Sequence, residues 1–207
     1  FATVFPASSH HALIRRLVTG AGLVEGADVR LAVLAPPLMV DALASGVIDG
    51  FCVGAPWGGF AVHRGVGHIV AASAQFGSGR TEKLLVVTAD WAEAKPDTLR
   101  RLVATLTAAG DWCAAPANHA ALAITLAAPQ HIGLPAEVIA RSLSGRLVMD
   151  PGGAPTLIPR FLSLGGSAVS RPDTSHAGQL LEEIGEPVPQ AALPEAATLF
   201  RSGLFES

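Results

Sequence analysis

The sequence predicts an α/β fold with a mainly parallel sheet, followed by a mostly helical C-terminal region. Short apolar segments of strand length alternate with helical segments over the first ninety residues. Strands that alternate with helices are typical of a parallel sheet covered by helices. From Pro96 onward, apolar residues recur at the 3.6-residue spacing of helices instead. We therefore predict an α/β ligand-binding lobe over residues 1–90 and a helical region over residues 91–207.

The composition supports a folded chain and excludes several classes of function. Half of the 207 residues are hydrophobic and 15% are charged, a balance unlike that of disordered chains. The formal net charge is −3 and the basic residues do not cluster, so we expect no direct contact with nucleic acid. No apolar run is long enough to span a membrane. The two cysteines lie in apolar surroundings without metal-like spacing, which favours buried thiols over a disulfide.

Five apolar segments in the first ninety residues have the length of strands. Glycine, proline or serine residues bound them, and these residue types mark turns. The predicted strands are Ala2 to Phe5, Val29 to Leu34, Gly50 to Gly54, Ile69 to Ser73 and Lys83 to Thr88.

Start and stop signals predict helices between these strands. The pair Ser8-Ser9 forms an N-cap for a helix that runs to about Thr19, where glycines follow. The pair Pro36-Pro37 suits the first turn of a short helix over Leu38 to Ala44, because proline lacks only an N–H that the first turn leaves unused. A helical turn is predicted over Trp57 to His63.

The region after Pro96 is predicted to be helical, apart from a stretch rich in glycine, proline and serine from Arg146 to Pro172. That stretch is predicted to contain at most a short helix, around Leu157 to Leu162. The other predicted helices are Asp97 to Ala114, Ala117 to Ala127, Pro135 to Leu143, His176 to Ile184 and Pro194 to Leu204.

Three segments place polar or aromatic residues at strand ends, where an open α/β sheet normally holds its ligand. They are Phe5 to His11, Gly50 to Gly58 and Glu82 to Thr88. Together they offer hydroxyls, imidazoles, an indole and an ammonium, a set that suits a small anion. No nucleophile–base pair, Gly-x-Ser-x-Gly elbow or His-Glu-x-x-His pair occurs among them. The sequence therefore predicts a binding protein and no enzyme, with no cofactor and no metal.

Each candidate ligand-binding residue also has an ordinary structural explanation. Ser8, Ser9 and His10 fit a helix cap followed by a surface histidine. Trp57 fits a core indole. Lys83, one of only two lysines in the chain, fits an ion pair with its neighbour Glu82. Taken singly, the local sequence favours the structural explanation in each case.

The order and spacing of the segments carry more information than any one of them. They read Phe5-Pro-Ala-Ser-Ser-His10, Asp49-Gly-Phe-Cys-Val-Gly-Ala-Pro-Trp57 and Glu82-Lys-Leu-Leu-Val-Val-Thr88. As a set they resemble the nitrate- and bicarbonate-binding branch of ABC-transporter solute-binding proteins, which includes cytosolic nitrate sensors. The resemblance covers most of residues 1–150. Ala55 departs from it, because the family usually has glutamate there.

The resemblance implies a periplasmic-binding-protein-like (type II) lobe that closes on an oxyanion, with nitrite or bicarbonate as alternatives to nitrate. It implies that His10 and Lys83 contact the ligand and that Trp57 lies near it. It also implies that the chain begins where the second lobe of a family member begins. The region 91–207 is then expected to pack back toward a first lobe that is absent from this sequence.

The resemblance leaves two roles open for such a binding protein. One is the substrate-binding component of an ABC transporter, with a permease as partner and a periplasmic location. The other is a cytoplasmic nitrate sensor, favoured slightly by residues 141–147 and 171–185. Alternatively, the chain is a protein-interaction module that controls an RNA-binding antiterminator. An enzyme that uses this fold, as in thiamine-precursor synthesis, is a further alternative for which no catalytic residues are visible.

Overall fold

The computed structural model of the 207-residue chain describes residues 1–76, 82–165, 167–173, 176–178, 194, 198–201 and 203. The chain forms two units. The described residues of Phe1–Ser78 and Ala120–Leu162 belong to the first, and those of Gly79–His119 and Ser163–Ser207 belong to the second. These units do not coincide with the regions 1–90 and 91–207, and that domain division stays a prediction.

Eight α-helices and four short strands are found in the described residues. Two short 3₁₀ helices accompany them, Ser73–Phe76 and Pro116–Asn118. The strands are β1 (Ala2–Thr3), β2 (Ala32–Val33), β3 (Arg146–Val148) and β4 (Pro155–Leu157). The helices are α1 (Ser9–Gly20), α2 (Pro36–Ala44), α3 (Trp57–His63), α4 (Ala89–Ala94), α5 (Pro96–Ala114), α6 (His119–Ala127), α7 (Ala136–Ser144) and α8 (Ser167–Ser170).

The central strand of the first unit is β1, which has a parallel neighbour on each side. β2 pairs with it on one side. There the Leu34 N–H donates a hydrogen bond of 3.0 Å to the Thr3 carbonyl. On the other side Phe51 forms a parallel bridge with Ala2, and the Cys52 N–H donates to the Ala2 carbonyl at 2.9 Å. Three chain segments therefore run in the same direction, with β1 in the middle.

Helices cover both faces of this small sheet. On one face, Met39 of α2 packs against Ala2 and Ile48, and the Met39 side chain is fully buried. On the other face, Ile14 and Val18 of α1 form the centre of a second apolar cluster. Burial of each such side chain stabilises the fold by about 1.5–3 kcal/mol. The predicted α/β class, with helices packed on a parallel sheet, is confirmed.

The rest of the first unit consists of α3, α6, α7 and an antiparallel hairpin of β3 and β4. Ala123, Leu134 and Ile139 form its buried cluster. α7 ends at Gly145, whose φ of 66° lies in the left-handed region that favours glycine. The Gly145 carbonyl then accepts a hydrogen bond of 2.8 Å from the Ile158 N–H. This bond attaches the hairpin to the end of α7.

The second unit is organised around the long helix α5. Leu99 and Val103 lie four residues apart on one face of α5, and they form a buried cluster with Ala92 of α4. Trp91 packs against this cluster. The helix predicted over Asp97 to Ala114 is confirmed, and its apolar stripe packs against α4.

The prediction of a strand over Lys83 to Thr88 is wrong. These residues pair with no strand in the described part of the chain, and the Leu85 and Val86 side chains are 50% and 80% exposed. A strand requires a neighbour for its ladder of hydrogen bonds, which apolar composition alone does not supply. Thr88 serves instead as the N-cap of α4, where its Oγ1 accepts a bond of 3.3 Å from the Trp91 N–H.

The prediction of a strand over Ile69 to Ser73 is also wrong. The Ile69 N–H donates to the Met149 carbonyl at 2.9 Å, and the chain then turns into the 3₁₀ helix Ser73–Phe76. This segment therefore lies beside the hairpin and outside the parallel sheet. The three other predicted strands are confirmed in position, but they are shorter than predicted, and the third is reduced to the bridge at Phe51.

The stretch from Arg146 to Pro172 contains the β3–β4 hairpin, which the sequence reading missed. The short helix predicted around Leu157 to Leu162 is wrong, because Leu157 ends β4 and a turn follows. Leu147 in β3 is almost fully buried. The glycine-rich segment that suggested a break between helices is the turn of the hairpin, where Gly152 has a φ of 74°.

The remaining helix predictions are confirmed where the structure describes them, except over residues 199–201 near the C-terminus, which form a turn and irregular backbone. The segment Ala117 to Ala127 begins with the 3₁₀ helix and continues as α6, and Pro135 to Leu143 corresponds to α7. α4 is an additional helix that its mixed polar sequence did not indicate. Residues 179–184 of the predicted helix from His176, and residues 195–197, 202 and 204 of the helix predicted over Pro194 to Leu204, lie outside the described residues.

The hydrogen bond that attaches the β3–β4 hairpin to the end of α7 predicts that a methyl group at Gly145 destabilises the fold. A Cβ there would lie 3.1 Å from the Ile158 carbonyl oxygen in a backbone conformation that already disfavours a side chain. We expect Gly145→Ala to lower the free energy of unfolding by about 1–3 kcal/mol in urea titrations followed by circular dichroism. Gly152→Ala is the matched control, because it has a similar φ but open space around the added methyl. Equal losses in the two variants would contradict the attachment.

Candidate functional site

The three parallel segments of the first unit end at one edge of the sheet, and a helix follows each of them. α1 follows β1, α2 follows β2 and α3 follows the bridge at Phe51. Parallel strands joined by helices bring their C-terminal ends together, and open α/β sheets bind ligands outside those ends. This edge is where the first two of the three polar segments lie.

The first turn of α1 is held in place by Ser8. Its Oγ accepts a hydrogen bond of 3.2 Å from the His11 N–H, so Ser8 is the N-cap that the sequence predicted. The Ser8 hydroxyl also donates to the Phe5 carbonyl at 2.7 Å, and the side chain is buried. Ser9 and His10 are the first two residues of the helix, and both are half-buried.

His10 lies beside the second polar segment. A methyl group added at Gly54 would lie 3.8 Å from His10 Nε2. Gly54 itself is half-buried and follows the third strand segment, and the Ala55–Pro56 peptide bond after it is cis. The structure therefore brings the imidazole of α1 to the backbone of the Gly50–Gly58 segment. Gly54 was not among the predicted site residues, although it lies within that segment.

His11 points in a different direction from His10. Its Nδ1 lies 3.1 Å from Oγ1 of Thr3, a fully buried residue of β1. Successive helical residues are rotated by about 100°, so adjacent histidines cannot face the same neighbour. The sequence contained the signal: His11, Ile14 and Val18 recur at the spacing of one helix face, and the last two are buried against the sheet.

The electrostatics of this edge favour a negative ligand. The first turns of α1, α2 and α3 contain no acidic residue. The aligned peptide dipoles of a helix leave partial positive charge at its N-terminus, and the first N–H groups have no acceptor within the helix. Ala55 is exposed and contributes no carboxylate. An anion at this edge therefore meets hydrogen-bond donors and no local repulsion from these turns.

Trp57 begins α3 and packs into the apolar cluster that α6 and α7 build. Its ring makes an edge-on contact with Phe60, with the ring centroids 6.4 Å apart. The indole is half-buried. This packing fits the structural explanation of Trp57, and its role near a ligand stays a prediction.

Lys83 belongs to the second unit, where its side chain is exposed. It follows Glu82 and precedes three apolar residues with exposed side chains, Leu84, Leu85 and Val86. Its predicted contact with the ligand therefore depends on the motif and on the resemblance that the motif carries.

A cavity of about 260 Å³ lies elsewhere in the first unit. Val18, Val29 and Leu31 line it, and an ion pair of 3.1 Å between Arg15 and Glu25 lies at its side. These residues belong to the C-terminal half of α1 and the segment after it, so the cavity is at the opposite end of α1 from Ser9. It is not part of the predicted anion site.

The described ranges hold neither a metal-like cluster of side chains nor a helix that could span a membrane. Nowhere in them do three His, Cys, Asp or Glu side chains come together in the manner of a metal site. Within the same ranges, every helix is too short or too polar to cross a lipid bilayer. Cys52 and Cys113 are both half-buried, one in each unit, and neither forms a disulfide with another described residue.

Known proteins similar to this chain are transport and binding proteins from cyanobacteria. A nitrate import ATP-binding protein, NrtC of Synechocystis, is 35% identical over 136 residues, which are 66% of this chain and 20% of NrtC. A bicarbonate transport ATP-binding protein, CmpC of Synechococcus elongatus, is 34% identical over 68% of this chain and 21% of its own length. The nitrate/nitrite binding protein NrtA of Synechococcus elongatus is 33% identical over 56% of this chain and 26% of NrtA.

The crystal structure of the periplasmic nitrate-binding protein NrtA from Synechocystis has the same fold. It superposes with a TM-score of 0.90 at 24% sequence identity, over 99% of this chain and 55% of the NrtA chain. The predicted periplasmic-binding-protein-like fold is confirmed.

This chain spans about a fifth to a quarter of the length of these curated relatives. It contains no Gly-x₄-Gly-Lys-Ser/Thr sequence, the phosphate-binding motif of many ATP-binding proteins, so its similarity to NrtC and CmpC lies outside such a motif. The resemblance to the nitrate- and bicarbonate-binding branch is confirmed by these relatives. The model of the NMT1-like family matches residues 1–127, which are more than half of the chain, and this protein therefore belongs to the NMT1-like family.

Proposed function

We propose that this protein binds a small oxyanion of the nitrate type at the edge of the sheet where α1 begins. The observation that carries the proposal is the position of His10, whose Nε2 lies beside Gly54 at the capped N-terminus of α1. This arrangement combines an imidazole, the positive end of a helix and uncrowded backbone. A planar anion of three or four atoms fits such a group of donors.

The relatives support the same ligand class. NrtA is named for nitrate and nitrite, and CmpC for bicarbonate. All three ions are small and carry one negative charge spread over two or three oxygens. We propose nitrate as the ligand of this chain, with nitrite and bicarbonate as the ions to compare.

The contribution of Lys83 is a separate proposal that rests on its motif. An ammonium is a compact charge with three donors, which suits a small oxyanion. Arginine is the usual basic residue in this chain, so the lysine in Glu82-Lys83 is an unusual choice. Ser8 contributes through its cap, and Ser9 is proposed to donate to the anion with His10.

The relatives favour transport as the biological role. Their printed names describe nitrate import, bicarbonate transport or nitrate binding. We therefore propose that the chain is part of a substrate-binding component of an ABC transporter, which implies a periplasmic location like that of the solved NrtA. The region 91–207 is proposed to pack toward a further lobe, as the resemblance implies.

The nitrate sensor is the alternative role, with a cytoplasmic location and an RNA-binding antiterminator as partner. It rests on the resemblance of residues 141–147 and 171–185 to the sensor subgroup, and residues 174–175 and 179–185 lie outside the described residues. A pull-down with the purified chain separates the two roles. Recovery of a membrane permease would favour transport, and recovery of an antiterminator would favour the sensor.

Nitrate binding is tested by calorimetric titration of the purified chain, with sulfate and bicarbonate as comparison ions. We expect saturable binding of nitrate that His10→Ala weakens by about tenfold to a hundredfold, because a hydrogen bond to a charged ligand is lost. His131→Ala is the matched control, because His131 is an exposed histidine in the same unit. A wild-type chain without nitrate binding, or equal effects of the two variants, would contradict the proposed site.

Lys83 and Lys95 provide a matched pair of variants for the proposal that Lys83 contacts the anion. We expect Lys83→Ala to abolish measurable nitrate binding, a loss of at least about a hundredfold, because the charge-assisted bond to the anion disappears. Lys95→Ala removes the same charge from an exposed position before α5 and should leave the affinity unchanged. The same titration measures both, and unchanged affinity in Lys83→Ala would remove Lys83 from the site.

Gly54 predicts a steric effect that is separate from charge. A methyl group at Gly54 makes only an ordinary contact of 3.8 Å with His10 Nε2, so the fold should accept it. It would occupy the space beside that nitrogen, and we expect Gly54→Ala to weaken nitrate binding by about tenfold while the melting temperature changes little. Gly20→Ala is the control, because its methyl meets open space at the far end of α1. Nitrate affinity in Gly54→Ala equal to that in Gly20→Ala would place the anion elsewhere.

A further inference from the structure

The hydrogen bond between Thr3 and His11 connects the central strand to the first turn of α1. Thr3 is fully buried, and its Oγ1 lies 3.1 Å from His11 Nδ1. A threonine hydroxyl both donates and accepts, so this bond forms with either tautomer of the imidazole. A buried hydroxyl that loses its partner destabilises the fold, and none of the described buried side-chain polar atoms lacks a partner.

His11 is held by two hydrogen bonds, one at its ring and one at its backbone N–H. Ser9 and His10, the residues proposed to meet the anion, lie in the chain between the cap residue Ser8 and His11. Its ring contacts Thr3, and its N–H donates to Ser8 Oγ at 3.2 Å. Ser8 in turn binds the Phe5 carbonyl through both its N–H and its hydroxyl, at 3.1 and 2.7 Å. The strand, the connection and the first helical turn thus form one closed hydrogen-bonded loop.

This loop constrains the backbone of Ser9 and His10. A hydrogen bond depends steeply on donor direction, so a small rotation of the first turn weakens every contact that the turn makes. Thr3 pairs with Val33 of β2, and its neighbour Ala2 is bridged to Phe51 on the other side, so the strand provides a rigid reference for that turn. Preorganisation of donors in this way lowers the cost of ordering them when a ligand binds.

We propose that Thr3 and His11 are a positioning pair that sets the direction of the first turn of α1 and thereby the anion affinity of the site. This inference rests on the proposed function. It assigns different roles to the adjacent histidines: His10 contacts the ligand, and His11 holds the helix. Neither Thr3 nor His11 touches the anion.

The test removes the hydroxyl group of Thr3 and keeps the shape of its side chain. Thr3→Val deletes the hydrogen bond, and Thr3→Ser retains it. Thr125→Val makes the same chemical change at an exposed position of α6 in the same unit, where the hydroxyl bonds only within its own helix, to the Ala121 carbonyl. Each full-length variant is titrated with sodium nitrate, and the amide chemical shifts of Ser9 and His10 are measured without ligand.

We expect Thr3→Val to weaken nitrate binding by about threefold to tenfold and to shift the amide signals of Ser9 and His10. The loss of affinity should not exceed the free energy of one net hydrogen bond, because the substitution removes only the bond between Thr3 and His11. Thr3→Ser should restore both readouts toward wild type, and Thr125→Val should alter neither. If Thr3→Val does not fold, His11→Phe gives the same test, because it keeps a planar ring and removes Nδ1.

Wild-type amide shifts and affinity in Thr3→Val, or a Thr3→Ser variant as impaired as Thr3→Val, would overturn the pairing. The ligand-free amide shifts separate this proposal from the proposed function. If the wild-type chain binds no nitrate, the proposed function fails, and the amide shifts of Thr3→Val and Thr3→Ser still decide whether the pair positions the turn.

Discussion

The hydrogen bonds of β1 to a parallel neighbour on each side are the constraint on which the rest of the first unit depends. They bring Leu34 and Cys52 against the backbone of Ala2 and Thr3. Because all three segments run in the same direction, α1, α2 and α3 begin at the same edge of the sheet, where the three segments end. The strands are only a few residues long, so the two apolar clusters on the faces of the sheet supply much of the stability.

The polar residues at the start of α1 then make different contacts, and only Ser9 and His10 among them are proposed to face the ligand directly. Ser8 closes the first turn of α1, and His11 turns back to the buried hydroxyl of Thr3. His10 lies between them and reaches the backbone at Gly54. The proposed anion site needs few charges, because the N-terminus of α1 would supply hydrogen-bond donors to the ligand. The similarity of this chain to nitrate and bicarbonate proteins agrees with that chemistry.

Local signals in the sequence predicted the elements whose cause is local. The serine cap of α1, the prolines that begin α2 and the apolar stripe of α5 each specify a helix without reference to distant residues. The strand predicted at Lys83 to Thr88 and the missed hairpin of β3 and β4 depend on pairing partners, which an apolar run does not reveal. For the proposed site, motif order indicated His10, whose contact with a ligand stays a prediction, whereas the proximity of Gly54 to His10 Nε2 became visible only in three dimensions.

The most direct test of the central claim is to locate the anion by amide chemical shifts during a nitrate titration of the isotope-labelled wild-type chain. We expect the saturable shift changes to be largest at Ser9, His10 and Gly54. The lining of the cavity at the other end of α1, near Val29, should change little. Changes that concentrate at that cavity, or no saturable change at the three amides, would contradict an anion site at the C-terminal edge of β1.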